Sequence, residues 1–161
     1  MSDFSIRAAR AGDEGLVYAV LYGLADYEKL LHRFFVTREA ITRDYFCDNP
    51  LVHCELAFEG DRHVGGATWF WTYAGFAAKR GLYIEDLFVS PEFRGRGYGK
   101  ALMKHLANNA VEAEAIRVDW AVLDWNQPSI DFYVGIGAQL VTGLPIYRLT
   151  GEAMKSLAER S

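Results

Sequence analysis

The sequence predicts an α/β fold (α+β, with a mixed β-sheet), and three observations support that class. Short β-prone runs alternate with stretches whose apolar residues recur at helical spacing. One β-prone run leads into a glycine-rich loop that is followed at once by a helical stretch. Hydrophobic residues make up 51% of the 161 residues, enough for one buried core. We therefore expect a single domain over residues 1–161.

The first half of the chain predicts a strand, two helices and a hairpin. These elements span residues 4–8 (strand), 13–27 and 37–46 (helices), and 52–59 and 63–73 (strands). Asp13 and Thr37 are residue types that cap the first turn of a helix, and each precedes an amphipathic stretch. Gly60-Asp61 is a turn signal between the two hairpin strands.

The second half predicts further strands and helices in alternation. These elements span residues 82–89 (strand), 100–113 (helix), 116–123 (strand), 128–136 (helix), 139–142 and 146–149 (strands), and 151–160 (helix). Pro128 suits the first turn of its helix, and Gly137 suits a left-handed residue at the helix end.

Charge and composition exclude several classes of protein. The formal net charge is −4, whereas a nucleic-acid surface needs clustered Lys and Arg. No stretch approaches the roughly 20 apolar residues of a membrane span, and the start MSDFSIRAARAGDE has no signal-like apolar region. Cys47 and Cys54 form no CxxC pattern. We therefore expect a cytoplasmic protein without disulfides and without nucleic-acid or membrane partners.

The segment FVSPEFRGRGYGKALM, residues 88–103, joins a predicted strand to a predicted helix. Gly95, Gly97 and Gly99 allow the backbone to adopt positive φ or to approach another molecule closely. The first amides of the following helix point into this loop, which predicts a receptor for an anion such as a phosphate.

Three kinds of phosphate loop compete for this segment, besides an ordinary glycine-rich turn. A Walker A loop needs four residues before its Gly-Lys pair, but only three separate Gly95 from Gly99, and Ala101 replaces the hydroxyl residue. The dinucleotide fingerprint needs a glycine where Lys100 stands. The remaining pattern, Arg94-x-x-Gly97-x-Gly99, resembles the pyrophosphate loop of the GNAT N-acetyltransferases.

The resemblance covers nearly the whole chain and narrows to one branch. The motifs LADYEKL, LYIEDLFVSPEFRGRGYG and VLDWNQPSIDFYVGIGA are similar to the diamine (spermidine/spermine) and thialysine acetyltransferases. The resemblance implies a splayed mixed sheet flanked by helices, acetyl-CoA as co-substrate and a homodimer. It also implies a coenzyme site made of Leu87, Phe88, Val89, Arg94, Gly95, Arg96, Gly97, Tyr98, Gly99, Lys100, Asn126, Ser129 and Tyr133.

Glu85 and Asp86 stand side by side in a run that otherwise requires burial on both faces. Successive strand residues point to opposite faces, so we expect one carboxylate on each face, lining a cleft. The alternative is an edge strand whose acids are solvated. An alkylamine, with a pKa of about 10.4, arrives as an ammonium. Glu85 is a candidate base or base relay for that ammonium, and Asp86 adds negative potential.

Tyr133 is the candidate acid. Within IDFYVGIGA it matches the tyrosine that, in the resembling family, protonates the departing sulfur of coenzyme A. The alternative is a core tyrosine on an amphipathic helix.

Because neither cysteine pairs with a histidine in a recognisable pattern, we expect direct transfer in a ternary complex. The histidines lack metal-ligand spacing, so no metal is expected, and His105 is expected on the solvated side of its helix.

The sequence says less about the acceptor amine than about the coenzyme site. Tyr27 and Glu28 match positions that line the amine site in the diamine branch, but Leu30, Leu31 and His32 follow where polyamine enzymes tend to be acidic. A shorter or more apolar amine, or a lysine-like amino acid, therefore fits as well as spermidine. Transfer to a protein amine or an aminoglycoside-like drug, and a non-catalytic acyl-CoA-binding module, are the other hypotheses.

Overall fold

A computed structural model gives the fold and describes residues 3–159. The chain divides into two compact units, Met1–Trp125 and Asn126–Ser161, which are described in turn. The first unit contains the sheet and three of the helices.

The first unit is built on a five-stranded mixed sheet with the strand order β1-β2-β3-β4-β5. The strands are β1 (Phe4–Ala8), β2 (His53–Glu59), β3 (Arg62–Ala74), β4 (Lys79–Val89) and β5 (Val118–Trp120). Neighbouring strands are antiparallel from β1 to β4, whereas β4 and β5 are parallel. Together with the helices, this sheet confirms the predicted α/β class.

Three helices of the first unit cover the two faces of the sheet. They are α1 (Glu14–Tyr27), α2 (Arg38–Tyr45) and α3 (Tyr98–Glu112). On one face, Val17, Val20 and Ile41 of α1 and α2 form a buried core with Cys54 and Leu56 of β2. Burying each such side chain stabilises the fold by about 1.5–3 kcal/mol.

The other face of the sheet packs against α3 and carries a buried carboxylate. Glu55 lies between Cys54 and Leu56 in β2 and so points away from α1 and α2. Its Oε2 is 3.1 Å from His105 Nε2 of α3, and Trp69 Nε1 donates a hydrogen bond of 3.4 Å to its Oε1. The expected position of His105 on the solvated side is therefore wrong, because the 5% exposed Glu55 requires partners.

Helix α1 lies unusually close to β4. A Cβ placed on Gly23 would lie 2.4 Å from the ring of Phe88, so only glycine permits this approach. The C-terminal end of α1 is thereby held against the end of β4, where the predicted site residues lie.

Only one of the two predicted side-chain helix caps, at Asp13 and Thr37, is present in the structure. Thr37 Oγ1 accepts a hydrogen bond of 3.1 Å from Ala40 N, as predicted. Asp13 does not cap α1 with its side chain. Instead Arg7 Nη1 and Nη2 donate to its two carboxylate oxygens at 2.6 and 3.0 Å. This pairing with Arg7 lowers the pKa of Asp13.

The second unit contains two helices, α4 (Gln127–Gly135) and α5 (Gly151–Ala158). Asn126 Oδ1 accepts a hydrogen bond of 3.4 Å from Ser129 N, which caps α4, and proline is in the first turn as predicted. The predicted last helix ends at Ala158, and its expected end at Arg160 lies outside the described residues.

The strands predicted over residues 139–142 and 146–149 are wrong, because neither segment is a strand. Their apolar side chains are largely exposed, at 87% for Leu140, 86% for Ile146 and 92% for Tyr147. β-propensity describes how a residue fits a paired, half-buried surface, and a segment without a ladder partner forms no strand.

Candidate active site

The glycine-rich loop opens above the N-terminus of α3. Gly95 and Gly97 have φ values of 76° and 86°, a left-handed conformation that favours glycine. A Cβ added at either position would meet no atom within 4 Å, so the space above the loop is open. Helix α3 begins at Tyr98, two residues before the predicted start, and its first amides point toward that space. Such a cradle of backbone N–H groups could hold a diphosphate.

Side chains on the opposite side of the loop anchor it. The Tyr98 ring is 6% exposed and stacks on Phe4 at a centroid distance of 4.4 Å. Its hydroxyl donates a hydrogen bond to Glu59, and Arg96 Nη1 lies 3.2 Å from Glu59 Oε1. The Tyr98 hydrogen bond, with the Arg96 charge, lowers the pKa of Glu59. Sequence reasoning missed Glu59, because it lies 39 residues before Tyr98 in a different element.

Arg94 connects the loop to the ends of α1 and β4. Its Nε donates a hydrogen bond of 2.9 Å to the Val89 carbonyl. Its guanidinium carbon lies 4.7 Å from the centre of the Tyr27 ring and 5.7 Å from that of Phe88. Contacts of this kind contribute about 0.5–1 kcal/mol at exposed sites.

The last residues of β4 extend beyond β5. Strand β5 pairs with β4 at only three positions, from Leu82↔Val118 to Ile84↔Trp120. Leu87, Phe88 and Val89 pair with β3 on the other side. The sheet therefore separates between β4 and β5 after Ile84, the position at which the pantetheine arm is expected.

A β-bulge in β4 sets the directions of Glu85 and Asp86. Thr68 of β3 pairs with Asp86, whereas the next residue, Trp69, pairs with Ile84, so Glu85 is an extra residue in β4. Asp86 shares a face with Thr68, which pairs with Cys54 of the α1–α2 core. Glu85 lines a cavity beside α1 and α2. The expectation of one carboxylate on each face is therefore wrong, because the bulge interrupts the alternation.

Asp86 is held by a neighbouring hydroxyl. The buried Thr68 side chain donates a hydrogen bond to the Asp86 carboxylate. Burial raises the pKa of Asp86 to about 6, and the charges of Glu85 and Glu28 add to that rise, while the Thr68 hydrogen bond opposes it. A carboxyl group that titrates near neutral pH is typical of functional sites. Sequence reasoning missed Thr68, whose only signal is a hydroxyl in a largely apolar stretch of β3.

Tyr45 of α2 lies beside this pair. Burial, together with the charge of Asp86, raises the pKa of its phenol, and the Thr68 hydroxyl opposes that rise. Burial also raises the pKa of the Cys54 thiol. A thiol that stays protonated is a poor nucleophile, which argues against an acetylated Cys54.

The end of α1 completes a group of carboxylates. Glu28 follows the last residue of α1 and is close enough to Asp86 to raise its pKa. Burial raises the pKa of Glu28 as well. The preceding Tyr27 lies against Arg94, and its ring centre is 6.4 Å from that of Trp125. The predicted acceptor residues Tyr27, Glu28, Glu85 and Asp86 thus lie at one end of β4.

The cavity beside Glu85 has a volume of about 840 Å³. Its lining is mainly apolar and comes from α1, α2, β3, β4 and the segments between them. The lining residues are Leu21, Arg33, Phe35, Val36, Ala40, Ile41, Asp44, Tyr45, Leu51, Val52, Phe70, Trp71 and Glu85.

The other predicted site residues belong to the second unit. Asn126 and Ser129 form the capped start of α4, and Tyr133 lies one turn further along that helix, with its ring centre 5.3 Å from that of Phe132. Their roles with the coenzyme stay predictions.

Residues 3–159 contain neither a candidate metal site nor a candidate membrane span. No three His, Cys, Asp or Glu side chains in this range are grouped so that they could hold a metal ion. Within the same range, every helix is too short or too polar to cross a bilayer.

Comparison with known proteins gives a family. The sequence profile of the Acetyltransferase (GNAT) family matches residues 22–138. The chain belongs to this family. It is 35% identical to a thialysine N-epsilon-acetyltransferase of Sus scrofa, over 98% of this chain and 99% of that protein. It is 32% identical to a human spermidine/spermine N(1)-acetyltransferase-like protein, over 98% of this chain but only 24% of that protein.

A solved structure supports the same assignment of this GNAT protein. An integron cassette protein from the mobile metagenome of V. cholerae superposes with a TM-score of 0.80 and 26% identity, over 99% of both chains. The predicted family, fold and N-acetyltransferase activity are thereby confirmed. Acetyltransferases of this family use acetyl-CoA as the acetyl donor.

Proposed function

We propose that this acetyltransferase transfers an acetyl group from acetyl-CoA to the primary amine of a small molecule. The observation that carries the proposal is the group formed by Glu28, Glu85 and Asp86 at the β4 bulge, in the same unit as the open glycine loop. A group of carboxylates attracts an ammonium. Full-length relatives that are named for acetylation of thialysine support a small acceptor.

The glycine loop and its surroundings would hold the coenzyme. Backbone amides from Gly95 to Lys100 would bind the pyrophosphate, with Arg94 fixing the loop to β4. The edge of Leu87–Val89 would lie beside the pantetheine arm, and Asn126 and Ser129 would complete the site. When bound there, acetyl-CoA supplies a thioester as the acyl donor.

Glu85 and Tyr133 would move the protons. Glu85, exposed at the bulge, accepts a proton from the ammonium directly or through water and so frees the nitrogen lone pair. Asp86 and Glu28 contribute the negative potential that attracts the cation, and Tyr27 shapes the entrance. Tyr133 donates its phenolic proton to the departing sulfur.

A steady-state screen tests this proposal. Release of free thiol is measured with acetyl-CoA and a panel of aliphatic amines, amino acids, aminoglycosides and peptides. We expect turnover with small primary amines. Coenzyme binding by calorimetry without transfer to any amine would instead indicate a non-catalytic acyl-CoA-binding module, and transfer to peptides or aminoglycosides alone would overturn the small-amine acceptor.

We also propose that the protein is a cytoplasmic homodimer. Apolar side chains of residues 140–149 are largely exposed, including Leu140, Ile146 and Tyr147, and a second copy would cover them. Both cysteines are free thiols, which suits a reducing compartment. Light scattering coupled to size exclusion measures the mass, and a monomer at micromolar concentration would overturn the dimer.

A further inference from the structure

The size and lining of the cavity beside Glu85 indicate which acceptor amine it could bind. Its volume of about 840 Å³ lies within the roughly 300–1,000 Å³ that is typical of small-ligand sites. Apolar side chains make up most of the wall. They include Leu21, Phe35, Ile41, Leu51, Phe70 and Trp71.

The charged side chains of this cavity differ in whether another side chain already pairs with them. Asp44 is paired with Arg43, whose Nη2 lies 2.7 Å from its Oδ2. Glu85 makes no salt bridge to any cation among residues 3–159, and it remains available to an incoming ammonium. The third charged residue of the lining, Arg33, is a cation.

This arrangement discriminates between amines with one and with several charges. A single ammonium at Glu85 leaves the rest of the ligand against an apolar wall, where burial of methylene groups is favourable. A second ammonium would gain nothing from contact with that wall and would be repelled by Arg33.

We propose that the acceptor is a primary monoamine with an apolar aliphatic or aromatic body, rather than a diamine or polyamine. This inference rests on the proposed acetyl transfer and names the acceptor class for the same site. The ammonium is placed at Glu85, and the body of the amine occupies the cavity between α1, α2 and β3.

Two amines of equal length test the inference. Hexylamine and 1,5-diaminopentane differ only in a terminal methyl group that replaces an ammonium. We expect a kcat/KM about 10- to 200-fold higher for hexylamine, the range by which an apolar pocket discriminates. Equal or higher kcat/KM for the diamine would overturn this inference while leaving acetyl transfer to small amines intact. No transfer to any primary amine would overturn the proposed function itself.

Two variants test whether residues of the cavity cause the preference for a monoamine over a diamine. Arg33→Gln removes the repelling cation, so the ratio of kcat/KM for 1,5-diaminopentane to kcat/KM for hexylamine should rise several-fold. Phe35→Glu adds an acid at a side chain that is 84% exposed, so the fold should tolerate it, and the preference should shift toward the diamine. Arg10→Gln, the same change at an exposed residue outside the cavity, is the matched control.

A second copy of the chain is the competing occupant of this cavity. If Phe35→Glu leaves the amine preference unchanged but converts a dimer to a monomer in light scattering, the cavity is a protein interface and the inference is overturned. A shifted preference at constant mass supports the amine.

Discussion

The Thr68 hydroxyl donates a hydrogen bond to the Asp86 carboxylate across the bulge between β3 and β4. This bond favours the ionised form of Asp86 and opposes the effect of burial on its pKa. We therefore expect Thr68→Val, which removes the hydroxyl at nearly constant volume, to raise the pKa of Asp86 above about 6. The acid limb of the kcat/KM profile for an amine substrate should move to higher pH.

Thr68→Ser is the matched control, because it keeps the hydroxyl and loses only a methyl group. Its acid limb should coincide with that of the parent protein. Coincident limbs in all three proteins would mean that Asp86 does not control acceptor binding.

Asp86 also makes stability depend on pH. Its pKa is raised from 3.8 to about 6, so the folded state holds the proton more tightly than the unfolded state. The contribution of Asp86 to stability is therefore greatest below pH 3.8 and is lost as the pH rises to about 6, by at most about 3 kcal/mol. We expect Asp86→Asn to raise the melting temperature at pH 8 more than at pH 4.

Thermal unfolding at the two pH values measures this difference. Glu85→Gln removes a charge from the exposed neighbouring position and should lack the large gain at pH 8. A gain at pH 8 that is no larger for Asp86→Asn than for Glu85→Gln would contradict the assignment.

The sequence predicted elements whose signals are local. Thr37 and the helix after it need only a cap and an apolar stripe, and the glycine loop needs only its own spacing. The bulge at Glu85 could not be predicted from the sequence, because it depends on the pairing register between β3 and β4 rather than on the residues of β4 alone. The partners Thr68 and Glu59 were missed for the same reason, since each lies 18 or more residues from the group it contacts.

Gly97 lies at the centre of the proposed coenzyme cradle. We expect Gly97→Glu to abolish coenzyme binding in titration calorimetry, because it places bulk and negative charge where the pyrophosphate would lie. Gly143→Glu is the matched control, since Gly143 also has positive φ, at 79°, and open space above it. Normal coenzyme affinity in Gly97→Glu would show that the loop has another role.

Tyr133 is the proposed acid that protonates the departing sulfur. Tyr133→Phe removes the phenolic proton and keeps the ring, so coenzyme affinity should stay nearly intact. Turnover should fall by about 10²–10⁴-fold, the usual effect of losing general acid catalysis. Tyr147→Phe removes a phenol that is 92% exposed on the same unit and should leave turnover unchanged. Both variants lose a tyrosine hydroxyl. Equal turnover in both would therefore mean that another group donates the proton to the departing sulfur.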